Sequence, residues 1–476
     1  MSLPNTDFGV EKIKAILQSA RGVWFLGIGG VSVSALAEAT LGLGVRVGGD
    51  DRTDSERIRN LQKKGAEIRI ASSEPIPEGY GLVVYTVAIS AENPQYLDAQ
   101  IKGIPCVSRA DYLGYLISAF EVRIGVAGMH GKSTCTAMCA QILTAAGDPT
   151  IFAGADLPAL NGDCCRIGSE KQTVLFESCE YMDSFLHFSP NIAVVLNIGM
   201  DHVDYFHSME QIRSSFRKFA DRAENGTLLW NFDDPESQHT FSGRKNAKTF
   251  SVRDPSADFF ANEIQIERGE IRFLFSEKGK EPFPVHLRAV GLHSVYNALA
   301  AAAAASLSGI SAESIAGALE EYRGAARRTE FKGYYLECPV YDDYAHHPDE
   351  IKATLEGIRK LVPEGGRLVC VYQPHTYSRT AGFFHAFSES FDQADLLLLS
   401  DIYAARERNQ SGVCSEQLAK AIRRRGGRVL STGSVSETAE ILTSFLKKGD
   451  LLVVMGAGDI ESIFNLLPLE KTEKDK

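Results

Sequence analysis

The stretch GVAGMHGKST, residues 125–134, contains residue types that together bind phosphate. Gly128 and Gly131 permit a tight turn whose backbone N–H groups point at phosphate oxygens. Lys132 offers a positive charge to the β- and γ-phosphates of a nucleotide, and Ser133 offers a hydroxyl to a magnesium ion. The stretch therefore predicts a nucleotide site in which Lys132 has a catalytic as well as a binding role.

The segments on either side of this loop favour the same interpretation. EVRIGVAG before it predicts a strand, and STCTAMCAQILTAAG after it has helical spacing, which is the context that a phosphate loop needs. Val126 replaces the first glycine of the common G-x-x-x-x-G-K-[ST] pattern, and the alternative is a glycine-rich turn followed by a chance lysine. We include Met129, His130 and Thr134 among the nucleotide-binding residues of this loop.

A carboxylate and an imidazole follow two further apolar strands. Glu177 ends the strand in TVLFESCEYMDSFL, and Asp201 and His202 come after the strand in NIAVVLNIGMDHVDYF. The carboxyl ends of parallel strands meet at one edge of a sheet, where ligands gather. A carboxylate and an imidazole there suit a divalent ion that bridges the γ-phosphate and an acceptor. We therefore predict a metal site formed by Ser133, Glu177 and His202, with a catalytic role for His202; the alternative for a lone Glu or His is a structural role.

The N-terminal segment predicts a second phosphate-binding turn. GVWFLGIGG, VSVSALAEATLGLG and VRVGGDD predict a strand, a glycine-rich turn, a helix and a second strand, the first unit of a doubly wound sheet. Gly29 and Gly30 allow the backbone to approach a phosphate. Ser32 stands where a G-x-G-x-x-G pattern has its third glycine, so the turn favours a nucleotide without identifying NAD. Asp50 or Asp51 either binds a ribose hydroxyl or ends the strand in solvent.

The length of 476 residues predicts three domains, since domains typically contain about 100 to 200 residues. We expect an α/β protein with an N-terminal Rossmann-like domain at 1–121, a central P-loop-type ATPase domain at 122–325 and a C-terminal Rossmann-like domain at 326–476. The boundary near 325 is placed on EYRGAARRTEFKG, where a helix is predicted to end and a strand to begin. Three domains around one cleft predict domain closure during turnover.

Composition and charge exclude several classes of partner and location. The formal net charge of −11 argues against a nucleic-acid partner, and the basic run at 423–425 is better explained as the solvated end of a helix. No apolar run reaches the roughly 18 residues of a membrane span, and MSLPNTDFGVEK lacks the regions of a signal peptide. We expect a cytoplasmic protein without a membrane partner. The nine scattered cysteines predict reduced thiols rather than a disulfide framework or a zinc site.

The chain resembles the Mur ligase family from about Val23 to Ile460, with motifs in all three predicted domains. Seven segments carry the resemblance: GMHGKST, NIGMDHVDYF, GLHSVYNALAAAAA, YDDYAHHPDEIKATL, QPHTYSRT, DIYAARE and MGAGDI. Family members lack the glycine at the position of Val126, so the loop is similar to their G-x-x-G-K-[ST] variant. The resemblance implies a ligase that uses ATP and Mg²⁺ to activate a carboxylate as an acyl phosphate. The last four segments are similar to members that join L-alanine to UDP-N-acetylmuramate in peptidoglycan precursor synthesis.

The resemblance also implies roles for individual residues, in addition to those of the phosphate loop and the metal site. The acceptor's UDP is expected at the turn with Gly29 and Gly30. A helix containing His293 and Asn297 is expected to contact the adenine, and Arg327 or Arg328 the nucleotide phosphates. The amino acid is expected in a C-terminal set of Tyr344, His346, His347 and Arg379. His346 or an Asp of YDDY is a candidate base for the ammonium proton, and the alternative for these groups is hydrogen bonding within the C-terminal core.

Several positions depart from the family pattern and bear on acceptor binding. The usual D-E-S-D run is Cys179-Glu180-Tyr181-Met182 here, and Ser32 and Thr376 replace a usual Gly and Arg. Phe216 stands where several related ligases have a carbamylated lysine. Two alternatives remain open: a sister ligase that adds a peptide or another amino acid to a related UDP-sugar, and an NAD-dependent oxidoreductase, which leaves GMHGKST without a role.

Overall fold

Three separate β-sheets follow one another along the chain in the computed structural model, which describes residues 3–169, 171–223, 225–405 and 407–470. Their strands lie within residues 22–108, 122–288 and 330–455. Both predicted domain boundaries fall in the segments that connect one sheet to the next. The expected α/β class, with three successive domains, is confirmed.

The N-terminal sheet has five parallel strands connected by helices. Its elements are α1 Val10–Ser19, β1 Gly22–Leu26, α2 Val31–Gly42, β2 Arg46–Asp51, α3 Glu56–Lys63, β3 Glu67–Ile70, β4 Leu82–Tyr85, α4 Pro94–Ile101, β5 Cys106–Ser108 and α5 Arg109–Ile117. The strand order is β3-β2-β1-β4-β5, so the order reverses next to β1. The carboxyl end of β1 is therefore a topological switch point, where open sheets bind ligands. The glycine-rich turn at 27–30 lies at this end.

The central domain has a ten-stranded mixed sheet. Its elements are β6 Val122–Ala127, α6 Lys132–Ala146, β7 Thr150–Leu157, β8 Asp163–Arg166, β9 Thr173–Glu177, β10 Ile192–Val195, α7 Met209–Asp221, β11 Thr227–Asn231, α8 Pro235–Phe241, β12 Ala247–Ser251, β13 Phe259–Glu267, β14 Glu270–Glu277, β15 Phe283–Arg288, α9 Leu292–Leu307 and α10 Ala312–Glu320, with 3₁₀ segments at Pro158–Leu160 and Tyr181–His187. The order is β15-β14-β13-β12-β11-β10-β6-β9-β7-β8. Strand β6 pairs in parallel with β10 and β9, so the loops after these three strands lie side by side.

The alanine-rich helix α9 is buried beside the phosphate loop. Residues 298–305 of this helix belong to the central core. Because alanine side chains are small, α9 packs closely against α6, the helix that follows the loop. This packing brings the start of α9, with His293 and Asn297, to the loop.

The C-terminal sheet has six strands, of which only the edge strand β16 is antiparallel. Its elements are β16 Glu330–Tyr335, β17 Cys338–Asp343, α11 Pro348–Arg359, β18 Leu368–Tyr372, α12 Tyr377–Gly382, α13 Phe384–Ser388, β19 Leu396–Ser400, α14 Ser415–Arg424, β20 Val429–Gly433, α15 Val435–Phe445 and β21 Leu451–Met455, with a 3₁₀ segment at Asp459–Asn465. The order is β16-β17-β21-β18-β19-β20. The basic run at 423–425 ends α14, as the sequence predicts.

Two further observations concern the predictions from composition, and a third concerns the extent of the structure. No helix in the part of the chain that the structure describes is long and apolar enough to cross a membrane. All nine cysteines are free thiols. Arg406 of the DIYAARE segment lies outside the described residues.

Candidate active site

The phosphate loop joins β6 to α6 and depends on its two glycines. Gly128 has φ 141° and Gly131 has φ 84°, both in the region that favours glycine. A Cβ on Gly131 would lie 2.6 Å from Oδ1 of Asn297, and a Cβ on Gly128 would lie 3.0 Å from Cβ of Leu196. The loop is thus tightly enclosed by α9 on one side and by the segment after β10 on the other.

Asn197, which the sequence analysis did not single out, holds the backbone of the loop. Its Oδ1 accepts a hydrogen bond from the His130 N–H at 2.9 Å, and its Nδ2 donates to the His130 carbonyl at 3.0 Å. The Met129 N–H donates to the Asn197 carbonyl at 3.3 Å. These bonds fix the turn that presents Lys132, and the only sequence signal was the position of Asn197 within NIGMDHVDYF.

Lys132 and His202 meet at a buried carboxylate, Glu180. The Lys132 Nζ lies 3.1 and 2.9 Å from the two Glu180 oxygens, and the His202 Nε2 lies 3.0 Å from Glu180 Oε1. Burial alone would lower the pKa of Lys132, but the Glu180 carboxylate raises it above its usual value. Burial alone would raise the pKa of Glu180, but Lys132 and His202 hold it below its usual range. Lys132 and Glu180 are therefore both ionised.

Of the predicted metal-binding residues, His202 belongs to this cluster, and Ser133 and Glu177 contact each other. The Ser133 hydroxyl donates to Glu177 Oε2 at 3.3 Å, and the Gly154 N–H donates to Glu177 Oε1 at 2.7 Å. A Cβ on Gly154 would lie 2.7 Å from Glu177 Oε2, so the glycine makes room for this carboxylate. The Ser133 hydroxyl and the Glu177 carboxylate offer oxygen donors of the kind that Mg²⁺ prefers, whereas the His202 imidazole contacts Glu180.

The structure distinguishes Arg327 from Arg328, which the sequence left as alternatives for contact with the nucleotide phosphates. The Arg328 guanidinium reaches the Ser133 Oγ at 3.5 Å. Arg327 points into the C-terminal domain, where its Nη1 pairs with Glu461 at 2.9 Å and its Nε lies 3.5 Å from Asp342. Arg328 is therefore the arginine at the phosphate loop, and Arg327 contacts the C-terminal domain instead.

A cavity of about 980 Å³ extends from the loop toward α9 and the C-terminal domain. It is lined by residues predicted to bind the nucleotide, namely His130, Gly131, Thr134, His293, Asn297 and Arg328. Burial lowers the pKa of His293 to about 4, so its imidazole is neutral at pH 7. A neutral imidazole can hydrogen-bond to an uncharged base, so the expected contact of His293 with the adenine stays a prediction, while the Asn297 amide lies against Gly131 of the loop.

The C-terminal residues reach the same site through Arg379. Its Nη2 and Nε lie 3.0 and 3.3 Å from Asp201 Oδ1, across the boundary between two domains, and its Nη1 lies 3.2 Å from His375 Nδ1. Burial alone would raise the pKa of Asp201, but Arg379 lowers it. The guanidinium predicted to hold an amino-acid carboxylate is thus paired with a protein carboxylate next to His202.

The two histidines of the YDDYAHHP segment lie beside the phosphate loop. The backbone N–H groups of His346 and His347 donate to Glu350 Oε2 at 3.1 and 3.3 Å, while Glu350 Oε1 lies 3.2 Å from His130 Nδ1. Burial lowers the pKa of His346 to about 4, so it is neutral and its proton affinity is low for a general base. The Tyr344 ring lies below the two arginines, with its centroid 5.2 Å from the Arg328 guanidinium carbon.

The N-terminal glycine-rich turn contacts a carboxylate at the end of β2. The Gly29 N–H donates to Asp51 Oδ2 at 2.9 Å, and Gly30 precedes α2 as its N-cap. Burial raises the pKa of Asp50 to about 6, and its Oδ1 is buried without a hydrogen-bond partner among the residues that the structure describes. Both side chains are partly buried, and the two alternatives for these aspartates stay predictions.

Comparison with known proteins places this arrangement in a family. The chain is 39% identical over 451 residues to the UDP-N-acetylmuramate–L-alanine ligase of Caldanaerobacter subterraneus subsp. tengcongensis, covering 94% of this chain and 97% of that protein. This chain belongs to the Mur ligase family. Residues 23–121 match the description "Mur ligase family, catalytic domain", residues 126–305 "Mur ligase middle domain" and residues 327–458 "Mur ligase, glutamate ligase domain".

A solved structure agrees with this assignment. The crystal structure of the UDP-N-acetylmuramate–alanine ligase of Thermotoga maritima is 25% identical in sequence, with a TM-score of 0.78 over 94% of this chain and 97% of that one. A second relative, the UDP-N-acetylmuramate–L-alanine ligase of Acetivibrio thermocellus, is 40% identical over 456 residues, covering 94% of this chain and 96% of that protein. The resemblance inferred from the seven segments is confirmed.

Two departures from the family pattern, Phe216 and Thr376, have structural explanations in this Mur ligase. Phe216 is fully buried and packs edge-on against Phe185, with the two ring centroids 5.2 Å apart, so this position is part of the core. Thr376 caps α12 by accepting a hydrogen bond from the Arg379 N–H at 3.4 Å. Glu180, the acid retained from the D-E-S-D run, is the group that contacts Lys132 and His202.

Proposed function

We propose that this Mur ligase uses ATP and Mg²⁺ to join L-alanine to the carboxylate of UDP-N-acetylmuramate in the cytoplasm. The observation that carries the proposal is that residues suited to bind the nucleotide phosphates and a residue suited to bind the amino acid meet in one site. Lys132, Ser133 and Glu177 lie at the phosphate loop, and Arg379 reaches the residue before His202 from the C-terminal domain. The names of the relatives at about 40% identity supply the substrates.

The residues suit the activation of a carboxylate followed by attack of an amine. A carboxylate does not react with an amine unaided, because its oxygen is a poor leaving group, and transfer of the γ-phosphoryl group makes it a good one. Lys132 and Arg328 would hold the phosphates and offset the charge that develops on them. Ser133, Glu177 and His202 would hold Mg²⁺, which supplies positive charge to the phosphate oxygens when bound.

The three domains divide the substrates in this proposal. Residues 1–121 would hold the UDP of the acceptor at Gly29 and Gly30, residues 122–325 the ATP, and residues 326–476 the amino acid. Arg379 would receive the alanine carboxylate, with His346, His347 and Tyr344 around it. Since burial keeps His346 neutral, it would accept the ammonium proton only transiently or act as a hydrogen-bond acceptor.

The substrate requirement tests the function. We expect ADP to form at full rate only when UDP-N-acetylmuramate and L-alanine are both present, because the amine completes the reaction that ATP begins. Phosphate release is measured with each substrate omitted in turn, and with glycine, L-serine and a peptide in place of alanine. Rapid turnover with a peptide and none with alanine would show a sister ligase. A change in nicotinamide absorbance without phosphate release would show an oxidoreductase.

Arg379→Ala is expected to raise the KM for alanine with little change in the KM for ATP. Loss of a charged hydrogen bond typically costs about 1.5 to 3 kcal/mol, which is roughly a 10- to 100-fold rise. Arg379→Lys is the matched control, because it keeps the charge that neutralises Asp201 and loses only the forked geometry. Steady-state kinetics with each substrate varied in turn measures the effect. An equal rise in both KM values would assign Arg379 to domain closure instead.

A further inference from the structure

Glu180 is a carboxylate with no exposed surface at the phosphate loop. It lies just after β9, at the start of the 3₁₀ segment Tyr181–His187. Both of its oxygens lie within 3.1 Å of the Lys132 Nζ, and one also lies 3.0 Å from His202. Glu180 is not among the residues predicted to bind the phosphates, the metal or the amino acid.

The contacts of Lys132 show why this carboxylate matters for nucleotide binding. The Lys132 Nζ also donates to the Gly128 carbonyl at 2.5 Å and to the Met129 carbonyl at 3.2 Å. An ammonium group has three donors, and the loop carbonyls and Glu180 engage all of them. A phosphate that binds Lys132 must therefore replace one of these acceptors. Glu180 is the acceptor that is negatively charged, as the phosphate is.

We propose that Glu180 is an internal counter-anion of the phosphate loop, which holds Lys132 in the nucleotide-free enzyme and competes with the β- and γ-phosphates for it. Once Lys132 turns to the phosphates, Glu180 keeps its bond to His202 and so holds that imidazole beside the site. Glu180 is thus a positioning residue that also sets nucleotide affinity. This inference rests on the proposed ATP-dependent function only in assuming that a nucleotide binds this loop.

Glu177 does not have this role, although it is close in sequence. Its oxygens contact Ser133 and the Gly154 N–H, so Glu177 lies beside Ser133, the other residue proposed to hold magnesium. A purely structural ion pair is the competing explanation for Glu180. The two explanations differ in sign, because loss of a structural partner weakens nucleotide binding, whereas loss of a competitor strengthens it.

Glu180→Gln tests the sign, since it removes the charge and keeps the shape. We expect the dissociation constant for ADP, measured by calorimetry without magnesium, to fall about tenfold, because a charged competitor for Lys132 is lost. The affinity for AMP, which lacks a β-phosphate, should not change. Asp183→Asn is the matched control: Asp183 lies in the same segment but contacts Tyr205 and Ser215, so ADP affinity should stay at the wild-type value.

Equal or weaker ADP binding by folded Glu180→Gln protein would overturn the proposal, and so would an equal gain for AMP. Should Glu180→Gln not fold, Glu180→Asp decides, because it keeps the charge but draws the carboxylate away from Lys132. It must then bind ADP more tightly than wild type, and unchanged binding refutes the competition. Failure of the ligase function is separately visible, since wild-type protein would bind ADP yet release no phosphate with UDP-N-acetylmuramate and alanine.

Discussion

Lys132→Ala is expected to lower phosphate release by about 100- to 1,000-fold, the usual effect of removing one preorganised charge from a transition state. The β- and γ-phosphates would lose the ammonium group that the loop presents at the start of α6. Arg328 lies on the Ser133 side of the loop and does not replace it. The measurement is phosphate release at saturating UDP-N-acetylmuramate and alanine. Release within a few-fold of the wild-type rate would refute the role of this loop.

The environment of Lys132 requires a control for stability in that experiment. Without Lys132, the Glu180 carboxylate keeps only His202 as a partner among the described residues, and breaking a buried ion pair typically costs about 3 to 5 kcal/mol. The double variant Lys132→Ala/Glu180→Gln removes both charges and should recover much of the thermal stability. It should not recover activity, since the phosphates still lack their ammonium partner. Restored turnover would show that the single variant was inactive only because it was unfolded.

Local sequence patterns were sufficient to predict the elements that carry the site. Strand β6, the loop and helix α6 follow from an apolar run, two glycines and helical spacing within about 25 residues. The apolar run that ends at Glu177 predicted β9 and its carboxyl end. Helix α9, with His293 and Asn297, was expected from the resemblance to the Mur ligase family, and the structure places both residues near its start.

Contacts between distant segments were not predictable from such patterns. Asn197 holds the His130 backbone, and Glu180 holds Lys132, because β10 and β9 pair on either side of β6. The choice between Arg327 and Arg328 depends on contacts with Glu461 and Ser133, since these consecutive residues point to different domains. The pair Arg379–Asp201 depends on how two domains meet. In each case the decisive partner lies far away in sequence, and its residue type alone gave no signal.

Glu177→Ala and His202→Ala are expected to lower turnover by about 100-fold or more while changing ATP affinity only a few-fold. The phosphate loop and Ser133 remain in both variants, so nucleotide binding persists, whereas the charge at the transferred phosphoryl group is lost. Glu177→Ala removes a carboxylate that lies beside the Ser133 hydroxyl, so activity should require more magnesium. His202→Ala also leaves Glu180 with Lys132 as its remaining partner.

His207→Ala is the matched control for the histidine variant, because His207 lies in the same connecting segment and is exposed to solvent. Its turnover and magnesium dependence should equal those of the wild-type enzyme. Activity is titrated with magnesium at saturating ATP, and nucleotide affinity is measured separately by calorimetry. An unchanged rate and an unchanged magnesium midpoint in both Glu177→Ala and His202→Ala would show that these residues only support the fold. A fall in ATP affinity as large as the fall in turnover would instead assign them to nucleotide binding, because catalysis requires interactions that strengthen in the transition state.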